Sequence, residues 1–323
     1  MANLTGRNSS VLFEKDGKRF IKKQLVGEPK DVKRRYDNLI LWDQILRLNK
    51  EINSPVIESK DDDSYTVVYK WLEGSENLQD KVSNTSIEAV SSDIYQATEL
   101  LKKINSLNIQ DFEMKKKARK DMISPLIALT EGKYINSTGG ELELFALLQH
   151  DNLLKENIFD NNKSNSNQKN EGIRHGDMRL DQFIVTPDNK VWIIDFEEFG
   201  YGNKLADMAG ILGSILFDVL YKTFSSIDVE TIDENEVNRQ FMDNGERNLN
   251  DVKPVMKKVY RIYTDEFITS DAKEIARLIG SFLIERIMSR AQFTFRLSDV
   301  DKAIAGVGRQ AVLDPDSVLD LLL

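Results

Sequence analysis

The residues whose types and spacing could do chemistry lie between positions 174 and 195, in the segment R-H-G-D-M-R-L-D-Q-F-I-V-T-P-D-N-K-V-W-I-I-D. Two short apolar runs, 183–186 and 191–194, are predicted to be strands. The P-D-N-K sequence between them has the composition of a turn. The segment therefore predicts a hairpin with one carboxylate, Asp177, shortly before it and another, Asp195, directly after it. These two carboxylates could face a common site.

A pair of carboxylates at such a site suits phosphoryl transfer. One carboxylate orients or accepts the proton of the attacking hydroxyl, and another holds the magnesium that bridges the nucleotide phosphates. Protein kinases add an Asn five residues after the first Asp as a second metal ligand. Gln182 occupies that position here, and its carboxamide oxygen can bind magnesium from one methylene further out.

Three motifs together resemble the aminoglycoside phosphotransferase and choline kinase family, the small-molecule branch of the kinase-like fold. They are H-G-D at 175–177, I-D-F-E at 194–197 and A-D-M-A at 206–209. The match is strongest over residues 172–210 and weaker over the N-terminal third. Two departures are Gln182, where Asn is usual, and Arg179, where a second His is common.

The resemblance implies an α+β, two-lobed protein-kinase-like fold. The small lobe, residues 1–73, would be an antiparallel sheet with one helix, and the large lobe, 74–323, would be mainly helical. The implied activity is magnesium-dependent transfer of the γ-phosphoryl group of ATP or GTP to a hydroxyl. Asp177 would be catalytic, and Gln182 and Asp195 would bind the metal.

Arg174 and Arg179 flank Asp177 in the sequence. Either one could neutralise the transferring phosphoryl group, because cationic charge in a dry site stabilises a transition state strongly. Either could instead pair with a nearby acid. We keep Arg179 as a catalytic candidate.

Residues 8–25 are predicted to form a β-hairpin around the D-G turn at 16–17. The preceding segment, Gly6 to Ser10, occupies the place of a phosphate loop, so Ser9 and Ser10 are candidates for nucleotide binding. The strand then presents two lysines, of which alternation lets only one point inward. The family pattern of two apolar residues followed by Lys favours Lys22 over Lys23.

Residues 31–49 have the periodicity of a helix. A kinase places there the carboxylate that pairs with the strand lysine, but this helix contains no Glu. Asp37 is the preferred candidate and Asp43 the second. The strand 65–69 is followed by a segment that resembles the hinge between the lobes, where backbone groups at Lys70 and Leu72 would face the nucleotide base.

The large lobe is predicted to begin near residue 80, with helices at 86–107 and 141–154 and mainly helical structure after Asp207. This lobe also contains a basic run at 114–120 and a polar loop at 160–170. We expect a structural role for His150, His175 and Asp207. Acidic residues that could attract an acceptor are Asp218, Asp228, Glu230, Asp233 and Glu234.

Composition narrows the class of protein. The chain has 323 residues, no cysteine and a net charge of −9. Residues 1–80 carry 14 Lys+Arg and 14 Asp+Glu, so the acidic excess lies entirely in the rest of the chain. This distribution argues against general nucleic-acid binding. The acidic part could concentrate a cationic acceptor, or it could be a solvated surface that serves solubility. Without an apolar leader or spanning segment, we expect a cytoplasmic protein that does not bind membranes.

Three functional hypotheses follow. The first is a kinase for a small, cationic molecule such as an aminoglycoside or amino-alcohol. The second is a kinase for Ser or Thr of a peptide. The third is a catalytically weak nucleotide-binding protein with a regulatory role, which Gln182 and the missing helix Glu would explain.

Overall fold

The computed structural model describes residues 2–4, 8–107, 129–157, 170–226, 234–264 and 269–323. Several features named above lie outside the described residues: Gly6 and Arg7, the basic run 114–120, the loop at 160–169, Asp228, Glu230, Asp233 and the side chain of Glu234.

Ten strands are described. They are Ala2–Leu4 (β1), Ser9–Lys15 (β2), Lys18–Gln24 (β3), Ile57–Asp61 (β4), Thr66–Lys70 (β5), Glu76–Asn77 (β6), Glu171–Arg174 (β7), Phe183–Val185 (β8), Val191–Ile193 (β9) and Gly200–Asn203 (β10).

The described helices begin with Pro29–Leu48 (α1), Leu78–Asn84 (α2) and Ile87–Asn105 (α3). They continue with Glu131–Ile135, Gly139–His150, Leu205–Ser225, Glu234–Thr264, Thr269–Ala291 and Asp299–Leu313. Residues 152–157 are also helical. Short 3-10 helices cover Leu180–Gln182, Phe196–Glu198 and Pro315–Leu321. None of the described helices combines the length and apolar composition that crossing a bilayer requires.

The N-terminal strands form one antiparallel sheet in the order β1-β2-β3-β5-β4. The predicted D-G turn joins β2 to β3, and both Asp16 and Gly17 have positive φ (54° and 70°), as a tight two-residue hairpin turn requires. This turn sets the register that pairs Ser10 with Lys23 and Val11 with Lys22. Strand β4, which the sequence analysis missed, forms the far edge.

Helix α1 begins at Pro29, whose fixed φ suits the first helical turn. It buries a stripe at spacings of three and four, which comprises Val32, Tyr36, Leu39, Trp42, Ile45 and Leu46. The same face carries Arg35, which is completely buried.

The hairpin predicted within residues 174–195 is confirmed. Strands β8 and β9 pair with Phe183 opposite Ile193, and β6 pairs with the other side of β8. Asn189 adopts a positive φ (57°) in the turn. The small antiparallel sheet and the largely helical remainder confirm the α+β class.

The described parts of the chain group into two compact units. The first draws on residues 1–85, 90–117 and 172–207, and the second on 86–89, 118–171 and 208–323. The hairpin segment therefore groups with the N-terminal sheet. The division into lobes at residue 73 stays a prediction.

In the second unit, helices Thr269–Ala291 and Asp299–Leu313 pack closely because glycines lie at their contact. A Cβ added to Gly280 would lie 2.5 Å from the carbonyl oxygen of Gly308 and 2.9 Å from the backbone nitrogen of Val312. The backbone of neither helix can give way to an added Cβ without separating the two helices.

We therefore expect Gly280→Ala to lower the free energy of unfolding by about 1–3 kcal/mol, as overpacking of a core does. Gly306→Ala is the matched control, because it lies in the second of these helices with nothing within 4 Å of an added Cβ. It should raise stability by up to about 1 kcal/mol through helix propensity. Urea unfolding of both variants measures the difference. Equal effects at the two positions would contradict the proposed close contact.

Candidate active site

A buried carboxylate, Asp207, holds the His-Gly-Asp loop in place. It accepts hydrogen bonds from the backbone N–H of His175 (2.6 Å) and of Gly176 (3.1 Å). Asn105 of α3 also donates to it (3.3 Å), and Arg174 lies 3.7 Å away. Asp207 thus satisfies amides that a tight loop would otherwise leave unpaired in the interior.

Gly176 is required by both its backbone conformation and its surroundings. Its φ is +89°, and an added Cβ would lie 2.1 Å from the carbonyl oxygen of Glu198. The His-Gly-Asp loop therefore lies directly against the residues that follow Asp195.

His175 links the loop to the end of the hairpin. The ring is completely buried, and its Nε2 donates to the carbonyl of Ile194 (2.8 Å). Its Nδ1 can then accept the backbone N–H of Asp177 (3.4 Å). The ring therefore braces Asp177 against the residue before Asp195, which agrees with the scaffold role expected for it.

Asp177 presents a half-exposed carboxylate (50%) beside Arg179, whose guanidinium lies 3.4 Å from it. Arg179 also lies 3.0 Å from Asp181, so the structure brings this predicted residue to the site and pairs it with two acids. Partial burial of Asp177 raises the pKa of its carboxyl group, although the charge of Arg179 opposes this. A raised pKa makes a carboxylate a better proton acceptor.

Asp195 lies where the chain turns from β9 into the 3-10 helix Phe196–Glu198. It adopts the left-handed conformation, with φ 67° and ψ 57°. Non-glycine residues in this region are uncommon and cluster at functional sites. The turn directs the Asp195 carboxylate to the N-terminal sheet.

The partner of Asp195 in the sheet is Lys23. Its ammonium forms an ion pair with Asp195 and lies 2.8 Å from Glu197. The Lys23 side chain is only 14% exposed, so its charge needs these carboxylates. Burial alone would lower the pKa of Lys23, but the two carboxylates raise it above its ordinary value. Burial would likewise raise the pKa of Asp195, but Lys23 holds it below the ordinary value.

The family pattern favours Lys22, but the structure places Lys23 beside Asp195 and Glu197. Which lysine contacts phosphate stays a prediction. Lys22 shares a pocket with Ser9, Val11, Phe13 and Gln24 on the opposite face of the sheet. Strand alternation turns Lys23 to the face of Asp195. The same alternation separates the two serine candidates. Ser10 pairs with Lys23 in the register, whereas Ser9 lies on the face of Lys22.

The proposed helix carboxylates do not reach the strand lysine. Asp37 is exposed and pairs with Lys33 one turn earlier (2.8 Å), and Asp43 pairs with Arg47 (2.7 Å). Both lie away from the face of α1 that packs on the 3-10 helix. The second carboxylate of Lys23 comes instead from Glu197, which the sequence analysis quoted within the I-D-F-E motif without assigning it a role.

Gln182 lies beside the end of the hairpin, as the sequence predicts. It is buried, and its backbone carbonyl accepts the N–H of Ile194 (2.9 Å). The β8–β9 pairing thereby places Gln182 next to the segment that carries Asp195. The chemistry of the donors, one carboxylate and one carboxamide oxygen, suits a hard cation such as Mg²⁺.

The predicted hinge follows β5. Lys70 ends the strand opposite Phe20, and the carbonyl of Leu72 accepts the hydroxyl of Ser75 (2.7 Å). Gly74 has a φ of 63°. The role of Lys70 and Leu72 in base binding stays a prediction.

Burial and the ion pair shift the pKa values of Lys23 and Asp195 in opposite directions, and this opposition can be tested. In Lys23→Met the burial of Asp195 loses its main offset, so we expect the pKa of that carboxyl to rise. The pair stabilises the fold above the unfolded pKa of Asp, about 3.9, and this contribution is lost as pH falls through the lower folded value. The stabilisation of the fold by this pair is also lost at high pH, as Lys23 loses its proton. Carboxyl ¹³C NMR titration measures the pKa of Asp195 directly. Lys22→Met, one residue away on the other face, should leave it unchanged, and an equal effect there would refute the assignment.

Comparisons with known proteins bear on the family and the fold. The sequence model described as "Phosphotransferase enzyme family" matches residues 8–238. No curated protein matches the chain. Among solved structures, the choline kinase LicA of Streptococcus pneumoniae is 12% identical, with 97% of this chain and 91% of that chain covered and a TM-score of 0.54.

Two further structures are similar. The ADP-bound aminoglycoside phosphotransferase APH(2'')-Ib is 14% identical, covers 97% of this chain and 93% of its own, and has a TM-score of 0.56. A choline/ethanolamine kinase family protein of Mesorhizobium loti is 12% identical, covers 97% and 88%, and has a TM-score of 0.53. At these identities the likeness shows the fold, which is the kinase-like fold predicted. Since the family model spans most of the chain, including the His-Gly-Asp loop and Asp195, the chain belongs to the phosphotransferase enzyme family.

Proposed function

We propose that the protein transfers the γ-phosphoryl group of ATP or GTP to a hydroxyl of a small molecule, with magnesium as cofactor. The observation that carries this proposal is the convergence of Asp177, Lys23 and Asp195 at the end of one hairpin. Family membership supplies the reaction class. Phosphoryl transfer needs this set: an acceptor for the hydroxyl proton, a cation for the phosphates and a carboxylate for the metal.

Asp177 orients the acceptor hydroxyl and takes its proton. Three observations support this role: its carboxylate is half exposed, its pKa is raised, and its loop is fixed by Asp207. Arg179, 3.4 Å from Asp177, is placed to balance negative charge that develops on the phosphoryl group. Positioning by such a rigid frame supplies much of the rate acceleration.

Lys23 replaces Lys22 as the residue that contacts the nucleotide phosphates. It lies on the same face of the sheet as Ser10, which follows the segment between β1 and β2. The hinge at Lys70 and Leu72 offers backbone groups to the base. The proposal includes both ATP and GTP, because side-chain identity says little about the base where backbone groups bind it.

Asp195 and the carboxamide oxygen of Gln182 would hold magnesium, which when bound neutralises and aligns the phosphates. Within the described ranges there is no cluster of three or more His, Cys, Asp or Glu side chains that could hold a metal unaided. Mg²⁺ usually binds one or two carboxylates together with substrate phosphates and water. A two-ligand site that is completed by the nucleotide fits this preference.

The acceptor is proposed to be a small, cationic molecule such as an aminoglycoside or amino-alcohol. The acidic excess of residues 81–323 would concentrate such a molecule near the protein. The cytoplasmic location expected from the sequence suits an enzyme that uses nucleoside triphosphates.

Glu197 supplies a second carboxylate for Lys23, so the absence of a helix Glu no longer favours a catalytically weak protein.

Calorimetric titration with ATP and with GTP, each with and without magnesium, tests the nucleotide site. We expect magnesium-dependent binding in the micromolar range, and we expect Asp195→Ala to remove most of the magnesium dependence. Asp188→Ala is the matched control, because Asp188 lies in the exposed turn of the same hairpin and pairs with Lys190. If neither nucleotide binds, the assignment of a phosphotransfer site fails.

Substitution of Asp177 tests the catalytic assignment. Asp177→Asn keeps the shape of the side chain but cannot accept the proton, so turnover should fall by about 10²–10⁴-fold while nucleotide binding persists. Phosphate transfer from radiolabelled ATP or GTP to aminoglycosides, choline and Ser-containing peptides identifies the acceptor class. Undiminished turnover in the variant would exclude Asp177 as the proton acceptor.

A further inference from the structure

Helix α1 contacts the 3-10 helix Phe196–Glu198 through residues on three successive turns. Trp42 stacks on Phe196, with ring centroids 3.7 Å apart. Asn38 donates to the backbone carbonyl of Glu197 (2.8 Å). Arg34 forms two hydrogen bonds to the Glu198 carboxylate, each 3.0 Å long. The helix is therefore fastened to the segment that carries the partners of Lys23.

Arg35 lies at the centre of this contact and is fully buried. Its guanidinium donates to Asp31 (3.0 Å), to the side-chain oxygen of Asn8 (2.8 Å), to the carbonyl of Val26 (2.7 Å) and to Glu197 Oε1 (3.3 Å). Four acceptors around one planar group leave it a single orientation.

Glu197 is held from both sides. Oε1 accepts from Arg35, while Oε2 accepts from Asn8 (2.7 Å) and lies 2.8 Å from Lys23 Nζ. Asn8 closes the ring, because it accepts from Arg35 and donates to Glu197. The carboxylate that faces Lys23 thus has its position set by a buried cation on the helix.

We propose that Arg35 is a positioning residue that acts on the phosphate-binding lysine through Glu197, so that helix α1 controls Lys23 with a cation and not with a carboxylate. This inference rests on the proposed phosphotransferase function. When Arg35 holds Glu197, the ammonium of Lys23 is fixed between two carboxylates. When Arg35 is absent, Glu197 turns and Lys23 keeps only Asp195.

A double-mutant cycle with Arg35→Met and Glu197→Gln tests the proposal. We expect each single variant to weaken binding of ATP in the presence of magnesium by about tenfold, and the double variant to bind no worse than the weaker single one. Multiplication of the two effects would overturn the proposal, because the residues would then act independently. The apparent KM for nucleotide should rise more than kcat falls, whereas a general loss of folded protein would lower kcat alone.

Arg34→Met is the matched control. Arg34 is the neighbouring arginine of the same helix, and it binds Asp31 and Glu198 but not Glu197. We expect it to leave ATP affinity within about twofold, since rim ion pairs contribute little. An effect as large as that of Arg35→Met would overturn the specific link through Glu197. If Arg35→Met does not fold, Arg35→Lys serves in the same cycle, because an ammonium keeps the charge but cannot reach all four acceptors.

A readout without nucleotide separates this inference from the proposed function. The ¹⁵N signal of the Lys23 ammonium, identified by its loss in Lys23→Met, should shift in Arg35→Met and in Glu197→Gln but not in Arg34→Met. An unchanged signal in Arg35→Met overturns the inference whether or not nucleotide binds. Failure of the unaltered protein to bind ATP or GTP, with the signal shifting as expected, overturns the proposed function alone.

Discussion

The ammonium of Lys23 is the group on which the geometry of the site depends. Asp195 and Glu197 are two residues apart in a tight turn, and two carboxylates so close together repel each other when both are ionised. Lys23 lies between them and pairs with both, and Arg35 adds a second cation at Glu197, so the repulsion is offset. The sheet, which supplies Lys23, and the hairpin, which supplies the carboxylates, are thereby held in one arrangement.

The hairpin can deliver its carboxylates because each end of the segment is fastened. At the start, Asp207 binds the amides of the His-Gly-Asp loop. At the end, His175 binds the carbonyl of Ile194, directly before Asp195. Both links are short, buried and local to the segment 172–207, so the distance between Asp177 and Asp195 is set by the backbone. Asp177 keeps half of its side chain exposed, where a substrate can reach it.

Sequence periodicity and turn composition predicted the hairpin, α1 and the β2–β3 turn, because each of these depends on local physical rules. They did not predict which lysine faces Asp195, because alternation gives two phases and only the register with neighbouring strands selects one. The role of Glu197 was missed for a different reason. Its importance comes from Arg35 and Asn8, which lie 162 and 189 residues away in the chain, and no local pattern reports such contacts. Asp37 was predicted because the resembled fold takes the partner of the strand lysine from this helix.

The ammonium of a buried strand lysine needs a carboxylate beside it, but either a helix or a turn can supply that carboxylate. When a helix supplies it, movement of the helix alone releases the lysine. Here Glu197 follows Asp195 in the same turn, so the partner of Lys23 moves with the candidate metal ligand, and α1 reaches the Glu197 carboxylate through Arg35. Because the carboxylate lies on the turn, α1 presents a cation to it. A carboxylate on α1 at the position of Arg35 would repel Glu197.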